Sequence, residues 1–255
     1  SWCIDPSEIR KAITTKTKAI IPVHLYGQVC DMEEILNISK EFGLYVIEDC
    51  AEAHGAEWAG KKVGSIGHIG CFSFYGNKII TTGEGGMCIT NDSELDNKMR
   101  ILRDHGMNKQ KKYWHDTVGY NFRMTNLQAA IGVAQLERID GILVGRNNLE
   151  QAYKKELSCL NNVTFQISNI GKRKKVVWFV CILVEGNRDE LLEKMQKEGI
   201  DARPFFYPLS NMPLYKKYAF KCKTSSKISS MGINLPTNNQ IEKSTILRIK
   251  KCLQK

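Results

Sequence analysis

The chain has 255 residues, of which 42% are hydrophobic and 25% charged, and its formal net charge is +10. That length can bury a real core as one large domain or two modest ones, and the composition excludes a disordered or fibrous chain. No apolar run is long enough to cross a bilayer, and Ser1-Trp2-Cys3-Ile4-Asp5-Pro6 lacks the basic and apolar regions of a secretory signal, so a soluble, cytoplasmic protein is expected.

In chain order, Asp5-Pro6 reads as a cap and first helical residue, entered so abruptly that a further segment upstream is expected. Ala19 to Val23 predicts a buried strand, and Met32 to Phe42 a helix with apolar positions at Met32, Ile35, Leu36 and Ile38, ended by Gly43. Leu44 to Ile47 is a second short apolar strand, closed by Glu48-Asp49. Continuous apolar strands separated by a helix predict a mostly parallel sheet with helices on both faces. Ile69 to Ser73 and Met87 to Thr90 are further strands, flanking a polar, glycine-rich stretch that holds Lys78. Ser93 to Leu102 predicts a helix capped by Ser93, and Asn126 to about Val144 one long helix. After Gly145 a helix over Asn147 to Leu157, a strand over Val176 to Val184, a helix over Asp189 to Glu198 and a proline-rich loop predict a smaller α+β domain. The boundary is placed near residues 140–146, dividing the chain into a large domain (1–145) and a small one (146–255).

The nine cysteines form no CxxC pair, which predicts reduced, mostly buried thiols and neither a disulfide framework nor a metal site. Basic runs at Lys109-Gln110-Lys111-Lys112 and Lys172-Arg173-Lys174-Lys175 read first as solvated loops. No basic helix interleaved with aromatics supports a nucleic-acid function, whereas an anionic small substrate would use the same field.

Ligand sites of open α/β sheets lie at the carboxyl ends of parallel strands. Asp49 ends one such strand, and Lys78 follows another. A lysine amine and a carboxylate converging there are the minimal equipment for pyridoxal-phosphate chemistry, the amine forming the Schiff base and the carboxylate keeping the pyridine nitrogen protonated. The glycines around Lys78 are read equally well as a hairpin between two strands.

The strings Glu48-Asp49-Cys50-Ala51-Glu52-Ala53-His54-Gly55, Cys71-Phe72-Ser73-Phe74-Tyr75-Gly76-Asn77-Lys78 and Thr81-Thr82-Gly83-Glu84-Gly85-Gly86-Met87 are more specific. Pro22-Val23-His24-Leu25-Tyr26-Gly27 precedes them, and Arg103-Asp104-His105-Gly106-Met107, Gly119-Tyr120-Asn121-Phe122-Arg123 and Arg203-Pro204-Phe205-Phe206 follow. In this order they resemble the DegT/DnrJ/EryC1/StrS family of sugar aminotransferases over essentially the whole chain. The resemblance implies the aspartate aminotransferase-like fold (fold type I) with a smaller α+β C-terminal domain, and pyridoxal 5′-phosphate as cofactor.

Lys78 matches the family's Schiff-base lysine and Asp49 the partner of the pyridinium nitrogen. Glu52 falls near the ring hydroxyl, and Ser73 matches a hydroxyl on the cofactor phosphate. Asn121 matches a residue that reaches that phosphate from the neighbouring subunit, which implies a homodimer with shared active sites. Lys112 and Tyr113 fall in a loop that helps hold a nucleotide-sugar, and Arg203 and Tyr207 in a loop that faces substrate or packs between domains. His54 and His105 are given no chemistry. The implied reaction moves an amino group, with glutamate as the expected donor, to a keto-deoxy-sugar nucleotide, and the resemblance leans towards 4-amino-4,6-dideoxy sugars such as perosamine. Dehydratases of the family carry histidine in place of the lysine, so Lys78 favours transamination. A non-catalytic cofactor- or nucleotide-sugar-binding regulator, or an inactive partial copy, is the competing expectation, because family members carry upstream a phosphate loop and an aromatic residue stacked on the cofactor.

Overall fold

The computed structural model describes residues 1–218, 222–238 and 240–254. The chain divides into two compact units, one of residues 3–140 with 171–175, the other of 1–2, 141–170 and 176–255.

The first unit opens with α1 (Pro6–Ala12), capped by the Asp5 side chain, which accepts from the Ser7 amide. β1 (Ala19–Ile20), α2 (Met32–Phe42) and β2 (Tyr45–Asp49) follow. Asp31 accepts from the Glu34 amide at the start of α2, and Gly43 takes a left-handed conformation at its end. β3 (Glu57–Trp58) and β4 (Lys61–Lys62) make a small antiparallel hairpin. β5 (Ile69–Ser73), β6 (Gly86–Ile89), α3 (Ser93–Arg103) and α4 (Asn126–Leu136) complete the run.

The central sheet has the order β1-β2-β5-β6, parallel through β5 and antiparallel at β6. Residues 74–85 therefore connect an antiparallel pair, so the Lys78 segment is both a strand-end loop and the connection of a hairpin. Ile20, Met32, Ile35, Ile38, Leu44 and Val46 are buried beneath α2 and the parallel strands. On β5, Gly70 lies against the backbone of Gly64: a Cβ there would stand 2.2 Å from the Gly64 carbonyl oxygen, so only glycine permits the approach.

The second unit is carried by α5 (Ile139–Leu157), β7 (Val163–Phe165), β8 (Asn169–Ile170), β10 (Val180–Val184), α6 (Arg188–Lys197), β11 (Arg203–Pro204), α7 (Lys223–Met231), β12 (Gly232–Leu235) and α8 (Lys243–Leu253). β9 (Arg173–Lys174), between β8 and β10 in sequence, pairs with β3 and so belongs to the first unit. β11-β12-β10-β7 form an antiparallel sheet. Its core joins Tyr153, Leu157, Val180, Ile182, Met195, Ile233, Leu235, Ile246 and Ile249.

Three expectations are corrected. The helix expected over residues 126–144 is two, broken at residues 137–138, and α5 then runs through Gly145 to Leu157. Glu137 keeps right-handed helical dihedrals at the break, and neither glycine nor proline marks it. The cap of α3 is Asp92, whose carboxylate accepts from Glu94 and Leu95, so Ser93 is the first helical residue. Of the cysteines, only Cys30, Cys50, Cys181 and Cys252 are buried, while Cys88, Cys159 and Cys222 are exposed. Among the described residues no helix is long and apolar enough to cross a membrane.

Candidate active site

Asp49 is the last residue of β2, held between parallel neighbours. Its amide donates to the Pro22 carbonyl (3.0 Å), its carbonyl accepts from the His24 amide (3.0 Å), and its Oδ1 accepts from the Ala51 amide (3.0 Å). Successive side chains on a strand point to opposite faces, so Glu48 and Asp49, though adjacent in sequence, lie on opposite faces of the sheet.

Glu48 is wholly buried. Its Oε2 accepts from His24 Nε2 (3.1 Å) and the Gly64 amide (2.8 Å), and its Oε1 from the amides of Ile66 (2.8 Å) and Gly67 (2.6 Å). Burial opposes its ionisation, but the bonds from His24, Gly67, Gly64 and Ile66 outweigh burial and hold the carboxyl below its ordinary range. His24 Nδ1 accepts from the Cys30 amide (3.1 Å), which leaves the ring hydrogen on Nε2 to donate to Glu48. Together with Cys50 these side chains bring three ligand-type atoms within 4.8 Å. The described bonds occupy both His24 nitrogens and both Glu48 oxygens, so the cluster is a hydrogen-bonded brace that fixes β2, the residues after β1 and the 64–67 turn.

Glu52 is also buried, and its Oε2 accepts from the Tyr26 amide (2.6 Å). Tyr26 holds a positive φ of 54°, a backbone geometry uncommon for a bulky residue, and this presents its N–H to the carboxylate. Burial pushes the Glu52 carboxyl up to about 7, with the Tyr26 bond and the Lys78 charge pulling the other way and Asp49 adding to the rise. Lys78 is half-buried. Burial lowers its ammonium pKa, while the charges of Glu52 and Asp49 oppose the fall. Lys78, Glu52 and Asp49 are thus within electrostatic reach of one another at the carboxyl end of the parallel strands.

The loop that carries Lys78 is shaped by threonines. The Thr82 amide (2.9 Å) and Thr81 Oγ1 (2.9 Å) both donate to the Phe74 carbonyl, and Thr82 Oγ1 donates to the Glu84 carbonyl (2.7 Å). Ser73 ends β5 half-buried, its Oγ accepting from the Tyr75 amide (3.3 Å). That bond uses one lone pair, and a hydroxyl also has a hydrogen to donate.

The donor set fits pyridoxal phosphate: an amine of lowered basicity for its carbonyl, a carboxylate at a strand end for its ring nitrogen, and a hydroxyl at the end of the neighbouring strand for its phosphate. His54, given no chemistry, is buried with its ring 5.5 Å from Phe72 and 5.8 Å from Phe74. Asn121 is exposed and forms an antiparallel bridge with Asp104. Lys112 lies 5.0 Å over the Tyr113 ring in an exposed loop, where Lys111 covers Trp114 in the same way at 3.7 Å. In the second unit Arg203 pairs with Asp201 (2.9 Å), and Tyr207 is exposed.

Sequence reasoning missed His24 and the Tyr26 amide. The only signal for them was their place in Pro22-Val23-His24-Leu25-Tyr26-Gly27, after the strand that neighbours Asp49.

Residues 1–254 match the DegT/DnrJ/EryC1/StrS aminotransferase family. The chain is 45% identical over 251 residues to the GDP-perosamine synthase of Caulobacter vibrioides, which covers 96% of this chain and 68% of that one. It is 41% identical over 251 residues to the GDP-perosamine synthase of Escherichia coli O157:H7, covering 98% and 68%. Among solved structures, PseC of Helicobacter pylori, an aminotransferase involved in the biosynthesis of pseudoaminic acid, aligns with a TM-score of 0.91 at 28% identity, over 98% of this chain and 70% of that one. The chain accordingly spans about two thirds of the relatives it matches. It belongs to the DegT/DnrJ/EryC1/StrS family of pyridoxal-phosphate-dependent sugar aminotransferases and has their type I fold.

Proposed function

We propose that the protein transfers an amino group from an amino acid, glutamate being favoured, to a GDP-linked 4-keto-6-deoxy sugar, yielding a 4-amino-4,6-dideoxy sugar. The observation that carries this reading is Lys78, a half-buried amine of lowered basicity within reach of two carboxylates. When bound, pyridoxal phosphate supplies an electron sink for the carbon that gains or loses the amino group. Lys78 holds the cofactor through Nζ, and once released it moves a proton at that same atom. Loss of basicity by burial favours the neutral amine that both tasks need.

Asp49 keeps a proton on the ring nitrogen, and Oδ1, held by the Ala51 amide, orients the carboxylate. Glu52, near half-ionised at neutral pH, exchanges a hydrogen bond with the ring hydroxyl. Ser73 donates to the phosphate. The two GDP-perosamine synthases support the nucleotide and the position of the amino group. Lys112, Tyr113, Arg203 and Tyr207 are assigned to the nucleotide-sugar.

A homodimer in which Asn121 serves the neighbouring site belongs to the same reading. It is supported by α4, which has no buried residue, and by the exposure of Val118, Phe122, Leu127 and Ile131 nearby in sequence.

Titration with pyridoxal phosphate, borohydride reduction and peptide mapping test the assignment. A visible imine band trapped on Lys78 is expected, and label spread over surface lysines would sink it. Lys78→Ala should leave folding intact and abolish glutamate-dependent turnover of a GDP-4-keto-6-deoxy sugar. Turnover equal with UDP- and GDP-sugars would overturn the choice of nucleotide.

A further inference from the structure

β5 and β6 place two thiols face to face. Cys71 and Cys88 are direct partners in the antiparallel ladder, and their sulfurs are 3.9 Å apart. The Phe74 amide donates to the Gly85 carbonyl (2.8 Å), so the pair 74/85 is hydrogen-bonded. Pairs alternate along an antiparallel ladder, which makes 71/88 a non-hydrogen-bonded pair. Such pairs bring their Cα atoms to about 4.5 Å, the closer of the two spacings. That lies inside the roughly 4.4–6.8 Å range that a disulfide spans. Cys88 is exposed and Cys71 partly so, hence a reagent reaches Cys88 first.

The hydrogen bond between the thiols adds chemistry to this geometry. It favours a thiolate on Cys88, whose pKa it lowers, and keeps the proton on Cys71, whose pKa the same bond and burial raise. One sulfur is thus the attacking thiolate and the other the resolving thiol.

We propose that Cys71 and Cys88 form a reversible cross-strand disulfide by exchange with a small-molecule disulfide. The Cys88 thiolate attacks one sulfur of the reagent, forming a mixed disulfide and expelling one thiolate. Cys71 then gives up its proton and attacks the Cys88 sulfur, expelling the second thiolate. The two protein thiols are oxidised by two electrons, the reagent is reduced to two thiols, and the protons end on those products. The link joins residues 17 apart and encloses the segment that carries Ser73 and Lys78. Asp49 is the ladder partner of Cys71 on the other side, so the bond lies beside the proposed cofactor site.

The test uses the native chain and glutathione disulfide, with the products mapped by mass spectrometry without reduction. The expected product has lost two of its nine thiols and holds one intramolecular link, Cys71 to Cys88, which dithiothreitol reverses. Cys71→Ser should stop the reaction at a glutathione adduct on Cys88, and Cys88→Ser should prevent the link. The wild-type map carries the test even if a variant folds poorly. A native chain that retains both thiols overturns the proposal. So does an adduct on Cys88 that never resolves, or a link formed first between Cys3 and Cys30, whose thiols also hydrogen-bond.

Discussion

β10 and β6 are both short apolar strands, yet they meet opposite fates. Val180-Cys181-Ile182-Leu183-Val184 lies between β12 and β7, with all but Leu183 buried. Gly86-Met87-Cys88-Ile89 ends its sheet, paired with β5 alone, and Met87 is 52% exposed. The same contrast extends to the helices. In the second unit α8 buries Ile246, Ile249, Cys252 and Leu253, whereas neither α3 nor α4 in the first unit buries any residue. Both units have apolar cores, but in the first unit α4 and β6 leave large apolar side chains exposed, among them Met87, Leu127 and Ile131.

The largest stability effect expected from this contrast is in the β10 core. Ile182→Ala removes a fully buried side chain flanked by Phe165 and Ile233 on the neighbouring strands, and should cost about 2–5 kcal/mol. Met87→Ala on β6 should cost far less, about 0.5 kcal/mol, because the side chain is already half exposed. Urea unfolding of the two variants checks the pair. Equal losses would mean that β6 is covered in solution.

A second effect sits where the first unit does bury polar groups. Burial raises Glu52 to about 7 from an ordinary value of 4.5. Below pH 4.5 the folded and unfolded chains both hold the proton, so the group costs nothing. As the pH rises from 4.5 to 7 the unfolded chain releases it while the folded chain keeps it, and stability falls. Above 7 the loss is complete, at most roughly 3 kcal/mol from the size of the shift. Glu52→Gln should flatten that fall and stabilise the protein above pH 7. Unfolding midpoints measured from pH 4 to 8 decide it, and parallel curves for the two proteins would show that Glu52 titrates normally.

What could be read from the sequence follows from the range of the forces involved. α2 was legible because its apolar period and its Gly43 stop lie within one segment. The cap of α3 was misplaced by one residue because Asp92 and Ser93 are both good caps, and only the backbone distinguishes them. The break between α4 and α5 left no trace, since no glycine or proline marks it. The family motifs identified Asp49, Glu52, Ser73 and Lys78 as candidates, and the fold brings Asp49, Glu52 and Lys78 within reach of each other's charge. The same motif hid Glu48, which read as the close of a strand. Its partners His24, Gly64, Ile66 and Gly67 come from two other segments, and no local pattern announces them. The Cys71–Cys88 pair was invisible for a related reason, because it depends on register across a long connection.

A smaller effect than that of Glu52 should be the same in both units, and it isolates the backbone from the side-chain contrast. α2 and α6 end alike. The Leu44 amide donates to the Ser39 carbonyl and the Ile200 amide to the Met195 carbonyl, both at 2.9 Å, closing two Schellman turns. Gly43 (φ 61°) and Gly199 (φ 69°) hold the left-handed position in each, and a Cβ added at either would meet nothing within 4 Å. The following residues, Leu44 and Ile200, are both buried. Gly43→Ala and Gly199→Ala should therefore each cost about 1 kcal/mol of left-handed strain, with no packing penalty in either unit. Equal shifts in the urea midpoint would show that the two units differ in what covers their side chains and not in how their helices are stopped. A larger loss for Gly43→Ala would mean that the end of α2, exposed in this chain, is packed against another body in solution.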